Sequence, residues 1–419
     1  MAIVRLAAKS LWNRRFTAAL TLISIALSVA LLLGVERLRT ESRESFANTI
    51  SGTDLIVGAR SGSTQLLLYS VFRIGNATNN ISWQSFQELA HHRNVKWAVP
   101  ISLGDSHRGF RVMGTTADYF NHYRFARERT LDFRQGTPFS EVYDAVLGAE
   151  VAEQLGYRLG EKIVIAHGAG RVNLVSHDDK PFTVTGILAR TGTPLDRTIH
   201  VPLAGIEAIH IDWQGGSRTP GLPISAERAL KHDLTPKSIT AAYLGLTSRI
   251  STFKVQRYIN DYKKEPLLAI IPGVALQQLW DMMGVAERVL LAVSAFVVLV
   301  GLTGMVTVIL TSLNERRREM AILRSVGARP SQITLLIIGE ALTLTLLGTL
   351  LGLALLYGLL EIAQPLIESH FGLFIPVDWP SSYELVLLGT VQLVGFVIAL
   401  LPAWRAYRYS VADGMTIRI

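Results

Sequence analysis

An α-helical membrane protein with four transmembrane helices and a large α+β domain between the first and second of them is the fold class that three observations predict. Four stretches, Phe16 to Gly34, Val289 to Leu313, Ile333 to Leu360 and Leu385 to Leu401, stay apolar over roughly the 17–25 residues that a bilayer-spanning helix needs. The chain between the first and second stretches is instead rich in Gly, Asn, Asp and Ser with short alternating runs, and it is long enough to fold by itself. Composition agrees, because 49% hydrophobic and 18% charged residues are too apolar for an ordinary soluble protein and too polar for one lying wholly in lipid.

In order, residues 1–16 form an amphipathic segment, with Ile3, Leu6, Ala7 and Leu11 on one helical face and Arg5 and Lys9 one turn apart. Charge anchoring at the membrane and contact with a partner both account for it. The first span covers 17–36. A cleaved signal peptide is the alternative there, since Arg14 and Arg15 precede an apolar run containing Ala26 and Ala30, but the run is long for that role. The large domain occupies 37–286. Within it, Ala149 to Leu155 is predicted helical and to stop near Gly156, before a turn at Gly160 to Lys162 and a strand at Ile163 to Ile165. Further strands are predicted at Phe182 to Leu188, Arg111 to Gly114 and Ala241 to Leu246, and helices at Trp83 to Ala90 and Ser251 to Asp261. The remaining divisions are a span at 287–313, a basic helix at 314–332, a span at 333–362, a short loop at 363–382, a span at 383–403 and a tail at 404–419.

Lys and Arg in short loops stay on the cytoplasmic side. The N-terminal segment carries Arg5, Lys9, Arg14 and Arg15, the 314–332 loop carries Arg316, Arg317, Arg318, Arg324 and Arg329, and the tail carries Arg405, Arg408 and Arg418, whereas Pro365 to Ser382 has none. Both termini are therefore expected in the cytoplasm and the large domain is expected to be extracytoplasmic. The net charge of +8 is then partly topological, and nucleic-acid binding is not inferred from it.

The chain has no cysteine, which excludes disulfides and thiolate metal sites. No phosphate-binding loop is present: Gly52 to Gly58 has the wrong spacing and is followed by Ala59-Arg60. No nucleophile elbow or His-Glu-x-x-His run appears, so no catalytic residue is assigned. His91, His92, His107, His122, His167, His177, His200, His210 and His232 all fall in the large domain. His177-Asp-Asp179, His210-Ile-Asp212 and His232-Asp233 have nitrogen and oxygen donors, but none has a zinc-site spacing. Scattered surface histidines and no metal site are the expectation.

The basic helix has an apolar face from Met320, Leu323 and Val326 with Ile322 nearby, flanked by Arg317, Arg318 and Arg324, and Gly327 is suited to end it in a left-handed conformation. Amphipathicity alone fits equally a docking helix and a helix lying on lipid phosphates. Glu340 sits inside the third span, where an isolated charge is costly; packing or coupling is expected over proton transfer, on the expectation that the spans hold no second buried acid or histidine to continue a relay. Gly348 and Gly352 form a small-xxx-small face for close helix approach. Leu66, Leu67, Leu68, Tyr69 and Phe72 are unusually apolar for a loop after a span, and contact with lipophilic cargo competes there with burial in the domain core.

Several motifs carry a family resemblance. Val146-Leu-Gly148, Leu155-Gly156, Gly160-Glu-Lys-Ile163 and Phe182-Thr-Val-Thr-Gly-Ile187 resemble the periplasmic core domain of MacB/FtsX/LolC-type ABC transporter permeases. Glu319-Met-Ala-Ile-Leu-Arg-Ser-Val-Gly-Ala328, followed by Glu340, Gly348 and Gly352, and the ending Leu401-Pro-Ala-Trp-Arg-Ala406 are similar to the same family, while Ser51 to Asn80 is not explained by it. The resemblance implies a bacterial inner-membrane permease that works by mechanotransmission. It would couple ATP hydrolysis in a separate nucleotide-binding subunit, which holds the ATP and Mg, to export or extraction of a lipophilic, lipoprotein or peptide cargo. Glu319, Met320, Ile322, Leu323, Arg324, Val326 and Gly327 would make the coupling contact, and this chain itself would bind no cofactor. The implied partners are that ATPase subunit, a second permease subunit of the same or a related chain, membrane lipids and in some systems a periplasmic accessory protein. An FtsX-like regulator of an extracytoplasmic hydrolase is the alternative, with metal handling a third reading.

Overall fold

The computed structural model describes residues 15–126, 128–168, 177–214, 217–218, 224–315, 317–371, 375 and 377–408. Two compact units emerge, one built from the long helices and one from Ser42–Met283 with Glu368–Phe374. The amphipathic segment expected at 1–14 and the last tail residues, Arg418 included, lie outside the described residues.

Among the described residues, four helices are long and apolar enough to cross a membrane: Arg15–Glu41, Pro272–Leu313, Pro330–Ile367 and Ser382–Arg408. The helices outrun the predicted spans, the first continuing to Thr49 and the second starting at Pro272 instead of 287. Apolarity marks where lipid begins, not where helical hydrogen bonding ends. Polar turns such as Gln277, whose amide donates to Asp281 Oδ1 at 3.0 Å, remain helical. The helices pack through small residues. A Cβ on Gly348 would lie 2.7 Å from Ile25 Cγ2, and one on Gly352 would lie 2.7 Å from the Ala26 carbonyl oxygen, so the small-xxx-small face of the third span seats the first span of the same chain. Around that seam Val29, Leu33, Leu302, Met305, Ile337 and Ala341 are buried.

In the other unit, the described residues include a mixed sheet whose main path runs Leu267–Ile270, Leu55–Ala59, Ala241–Leu246, Val95–His107, Phe110–Thr115, Thr198–Pro202, Asp144–Leu147, Phe182–Leu188 and Phe133–Gly136. Thr198–Pro202 pairs parallel with Phe110–Thr115, and Asp144–Leu147 parallel with Phe182–Leu188. Both faces are covered, which is why the strands read as continuous apolar runs. Ile56, Met113, Val146 and Tyr243 point into one core, while their neighbours Leu55, Val112, Ala145 and Leu244 point into cores on the opposite face.

The predicted helix and strand positions are largely matched. Trp83–Ala90 is helical with its Ser82 side chain capping the Ser85 N–H, and Ala149–Leu155 ends at Gly156 with φ 73°. The strand expected at Ile163 to Ile165 is only Lys162–Ile163, paired with the start of Phe182–Leu188. Gly148 has a steric role: a Cβ there would sit 2.2 Å from the Leu195 carbonyl oxygen.

The cargo-contact reading of Leu66, Leu67, Leu68, Tyr69 and Phe72 is corrected by their burial. The helix Ser63–Ser70 lies on the Leu55–Ala59 strand, with Leu66 and Leu67 at 0% exposure, Tyr69 at 2% and Phe72 at 6%. Leu68 packs partly buried against the same core. Gly58 admits the helix so closely that a Cβ there would be 2.7 Å from Leu66 Cδ1.

Candidate functional site

The basic loop between the second and third long helices forms a short helix, Arg317–Ser325. Met320 and Ala321 are buried, Met320 within the membrane core that also holds Leu313, Ile333 and Ile337. Ile322 is 56% and Val326 83% exposed. Gly327, at φ 100°, ends the helix with its N–H donating to the Arg324 carbonyl. The expected single apolar face is therefore split: Met320 is seated in the bundle, while Ile322 points out. Val326 lies past the last helical residue, so it does not continue the Met320 face. Arg324 is half-buried, and the side chains of Glu319 and Leu323 lie outside the described residues. Glu340 is 7% exposed within the bundle, with Thr345 and Thr349 also buried on its helix.

A second constellation, missed in the sequence, closes the opposite end of these helices. Arg37 Nε donates to Glu384 Oε1 at 3.2 Å, with both side chains 6% exposed, and Arg37 Nη2 donates to the Asp378 carbonyl at 2.9 Å. The guanidinium also stands 5.1 Å from the Tyr357 ring centroid, a favourable cation–π distance. Glu384 is held as part of a reciprocal cap: the Ser381 N–H donates to its carboxylate at 2.7 Å while its own N–H donates to Ser381 Oγ at 3.2 Å. One readable signal existed, the Ser381-x-x-Glu384 spacing just before the last apolar run.

The third constellation lies in the large domain. His167 ends a short strand paired to Asp105 and Ser106, His177 opens a turn, and His210 ends the helix Leu203–His210. One ring nitrogen from each lies within 4.8 Å of one from each of the others. His177 Nε2 and His167 Nε2 are 3.2 Å apart, and His167 Nδ1 is 3.2 Å from Asp105 Oδ1. Burial holds the His177 imidazole down at about 4, and it lowers His210 below its ordinary value as well. Trp213 packs edge-on to His167, with ring centroids 4.7 Å apart. The fully buried Lys180 donates to Asp212 Oδ1 at 2.8 Å and to Asp179 Oδ2 at 3.2 Å, fixing the His177 turn to the segment after His210. The expectation of scattered surface histidines fails for these three, because strand pairing and one buried ion pair bring distant positions together.

Known protein families share both parts of this layout. The MacB-like periplasmic core domain matches residues 18–256, more than half of the chain, and the FtsX-like permease C-terminal domain matches residues 291–411. The chain belongs to the MacB-like, FtsX-type ABC transporter permease family. Curated relatives are the macrolide export ATP-binding/permease proteins MacB of Nitrobacter winogradskyi, 25% identical over 95% of this chain and 57% of the relative, and of Azoarcus sp., 24% identical over 96% and 58%. The chain thus spans little more than half the length of those relatives. Among solved structures, the periplasmic region of MacB from Actinobacillus actinomycetemcomitans aligns over 55% of this chain and 94% of that one, at 11% identity with a TM-score of 0.33.

As a MacB-like permease, the chain has its large domain outside the cytoplasm between the first and second of four membrane helices. Of the residues singled out in the sequence, Met320, Ile322, Arg324, Val326 and Gly327 stand together on the loop between the second and third helices. Glu340, Gly348 and Gly352 follow on one helix, and the Leu66 to Phe72 group is far along the chain in the domain core.

Proposed function

We propose that this chain is the membrane half of an ATP-driven machine in a bacterial inner membrane, with both termini cytoplasmic. A separate nucleotide-binding subunit, holding ATP and Mg, drives it through the Arg317–Ser325 helix. The observation that carries this reading is the split of that helix: Met320 is buried among residues of the long helices while Ile322 is exposed, so a push on the outer face reaches the bundle through packed side chains, which do not compress. Two such permeases, of the same or a related chain, would face the two nucleotide sites. A lipophilic, lipoprotein or peptide cargo would be handled outside the membrane instead of through a polar channel. The relatives named as macrolide export proteins support a lipophilic class.

Ile322→Asp places a charge on the exposed face without touching the buried one. Loss of a well-packed anchor typically costs about 2 kcal/mol, or roughly 30-fold in affinity. Membrane insertion and thermal stability of the variant should match the parent, whereas co-purification of an ATPase subunit and cargo-stimulated ATP hydrolysis should drop by that order. Undiminished ATPase recovery and coupling would remove the docking role.

A further inference from the structure

We propose that His167, His177 and His210 form a binding site for one first-row divalent transition ion, with zinc the ion their donors and geometry suit best. The site is independent of the coupling reading, since it uses residues of the large domain alone.

Four features of the large domain lead there. First, one pair has the spacing of ligands on one centre and the third is near: with zinc–nitrogen bonds of about 2.0–2.1 Å in a tetrahedral site, ligand nitrogens lie roughly 3.3 Å apart, the His177 and His167 Nε2 atoms are 3.2 Å apart, and a nitrogen of His210 lies within 4.8 Å of a nitrogen on each of them. Second, the outer nitrogens are oriented as metal-bound imidazoles usually are. Asp105, itself 6% exposed, sits 3.2 Å from His167 Nδ1, which places that proton on the far side and leaves Nε2 its lone pair. A backbone hydrogen bond to Ile206 does the same for His210.

Third, a polar atom at the centre goes unused. Among the described residues, His210 Nε2 is buried without a hydrogen-bond partner, an unfavourable state for a buried polar atom. Capture of an ion would give the inward-facing ring nitrogens a shared partner. Fourth, a carboxylate stands against the cluster, as suits a cation: Asp105 Oδ1 lies 3.2 Å from His167 Nδ1 and 3.8 Å from His210 Nε2.

Imidazole donors without thiolate favour zinc, copper or nickel over calcium or magnesium, and three protein ligands on a tetrahedral ion leave the fourth position for water or an exchanging donor. The Trp213 ring packs against both His167 and His177.

The test uses the full-length protein in detergent, stripped with a chelator, then titrated with zinc alone against a competing chromophoric chelator. One tight equivalent is expected, with X-ray absorption reporting nitrogen and oxygen ligands including histidine. His167→Gln and His210→Gln, at side chains 28% and 27% exposed, should each lower affinity at least about 100-fold, and Asp105→Asn by roughly 10–100-fold. His232→Gln, outside the cluster, should leave binding unchanged, and thermal unfolding checks that every variant is folded. Absence of a saturable equivalent in the parent overturns the proposal. Survival of that equivalent in both ligand variants, or its loss in His232→Gln, does so as well.

Discussion

At the scale of single residues, burial without compensation is the recurring theme of the large domain. His200 is the clearest case: it is 0% exposed, its Nδ1 is 3.4 Å from the Val146 carbonyl, and it lies against Tyr119 and Phe120. Burial, aided by the nearby Arg73 guanidinium, pushes its pKa from 6.5 to about 3. The folded state therefore keeps it neutral while the unfolded chain protonates it near 6.5. Its contribution is full above that pH and is lost progressively as pH falls toward about 3, a window worth on the order of 5 kcal/mol. Thermal unfolding of the chelator-stripped protein should show a steep acid limb between pH 6.5 and 3. His200→Leu should make that limb shallower, and an unchanged slope would place the acid sensitivity elsewhere. The same scale explains which site residues were legible. Gly327 and Gly156 were, because positive φ is a property of one residue in its own sequence context. The histidine cluster was not: its members are 10 and 33 positions apart, on a strand end, a turn and a helix end, and no local spacing encodes that convergence.

At the scale of elements, the contacts that join the long helices include, among the described residues, apolar close approach and a buried ion pair. The pair Arg37–Glu384 spans 347 positions in sequence, so no local pattern could foresee it, although the capping spacing at Ser381 was readable. Breaking a buried pair by removing one partner typically costs about 3–5 kcal/mol, because the other charge stays buried. Glu384→Gln should therefore lower thermal stability in detergent markedly, whereas Arg37→Met combined with Glu384→Gln should be milder than the single change. A double variant as unstable as the sum of its parts would mean the two side chains act separately. The basic loop helix shows the limit of periodicity from the other side. Its position and its glycine stop were legible, but which apolar residues face inward was not, since that depends on where the chain leaves the helix after Ser325.

At the scale of the whole molecule, the order of one helix, a large domain and three helices was visible in apolar run length alone, because lipid imposes a length that the sequence must meet. The domain's sheet order was not. Its neighbours Leu55–Ala59, Ala241–Leu246 and Leu267–Ile270 come from both ends of the domain, and long-range pairing leaves little local trace. The two readings left open for Leu66 to Phe72 have the same root, since a short buried helix and an exposed apolar loop have similar composition.

The glycine seam also sets an order of events during synthesis. The first helix leaves the ribosome long before Gly348 and Gly352, the residues that receive Ile25 and Ala26. At ~5–20 residues per second the intervening chain takes roughly 15–65 s to make. Both edge regions of the large domain's sheet, by contrast, are complete by Ile270. The domain is therefore able to fold while the first helix still waits in the bilayer for its neighbour. Ribosome-bound chains halted after residue 315 should show a protease-resistant domain together with a first helix open to cysteine labelling at position 25, on a chain that supplies no competing thiol. Protection of that position before the third helix is made would mean another partner shields it first.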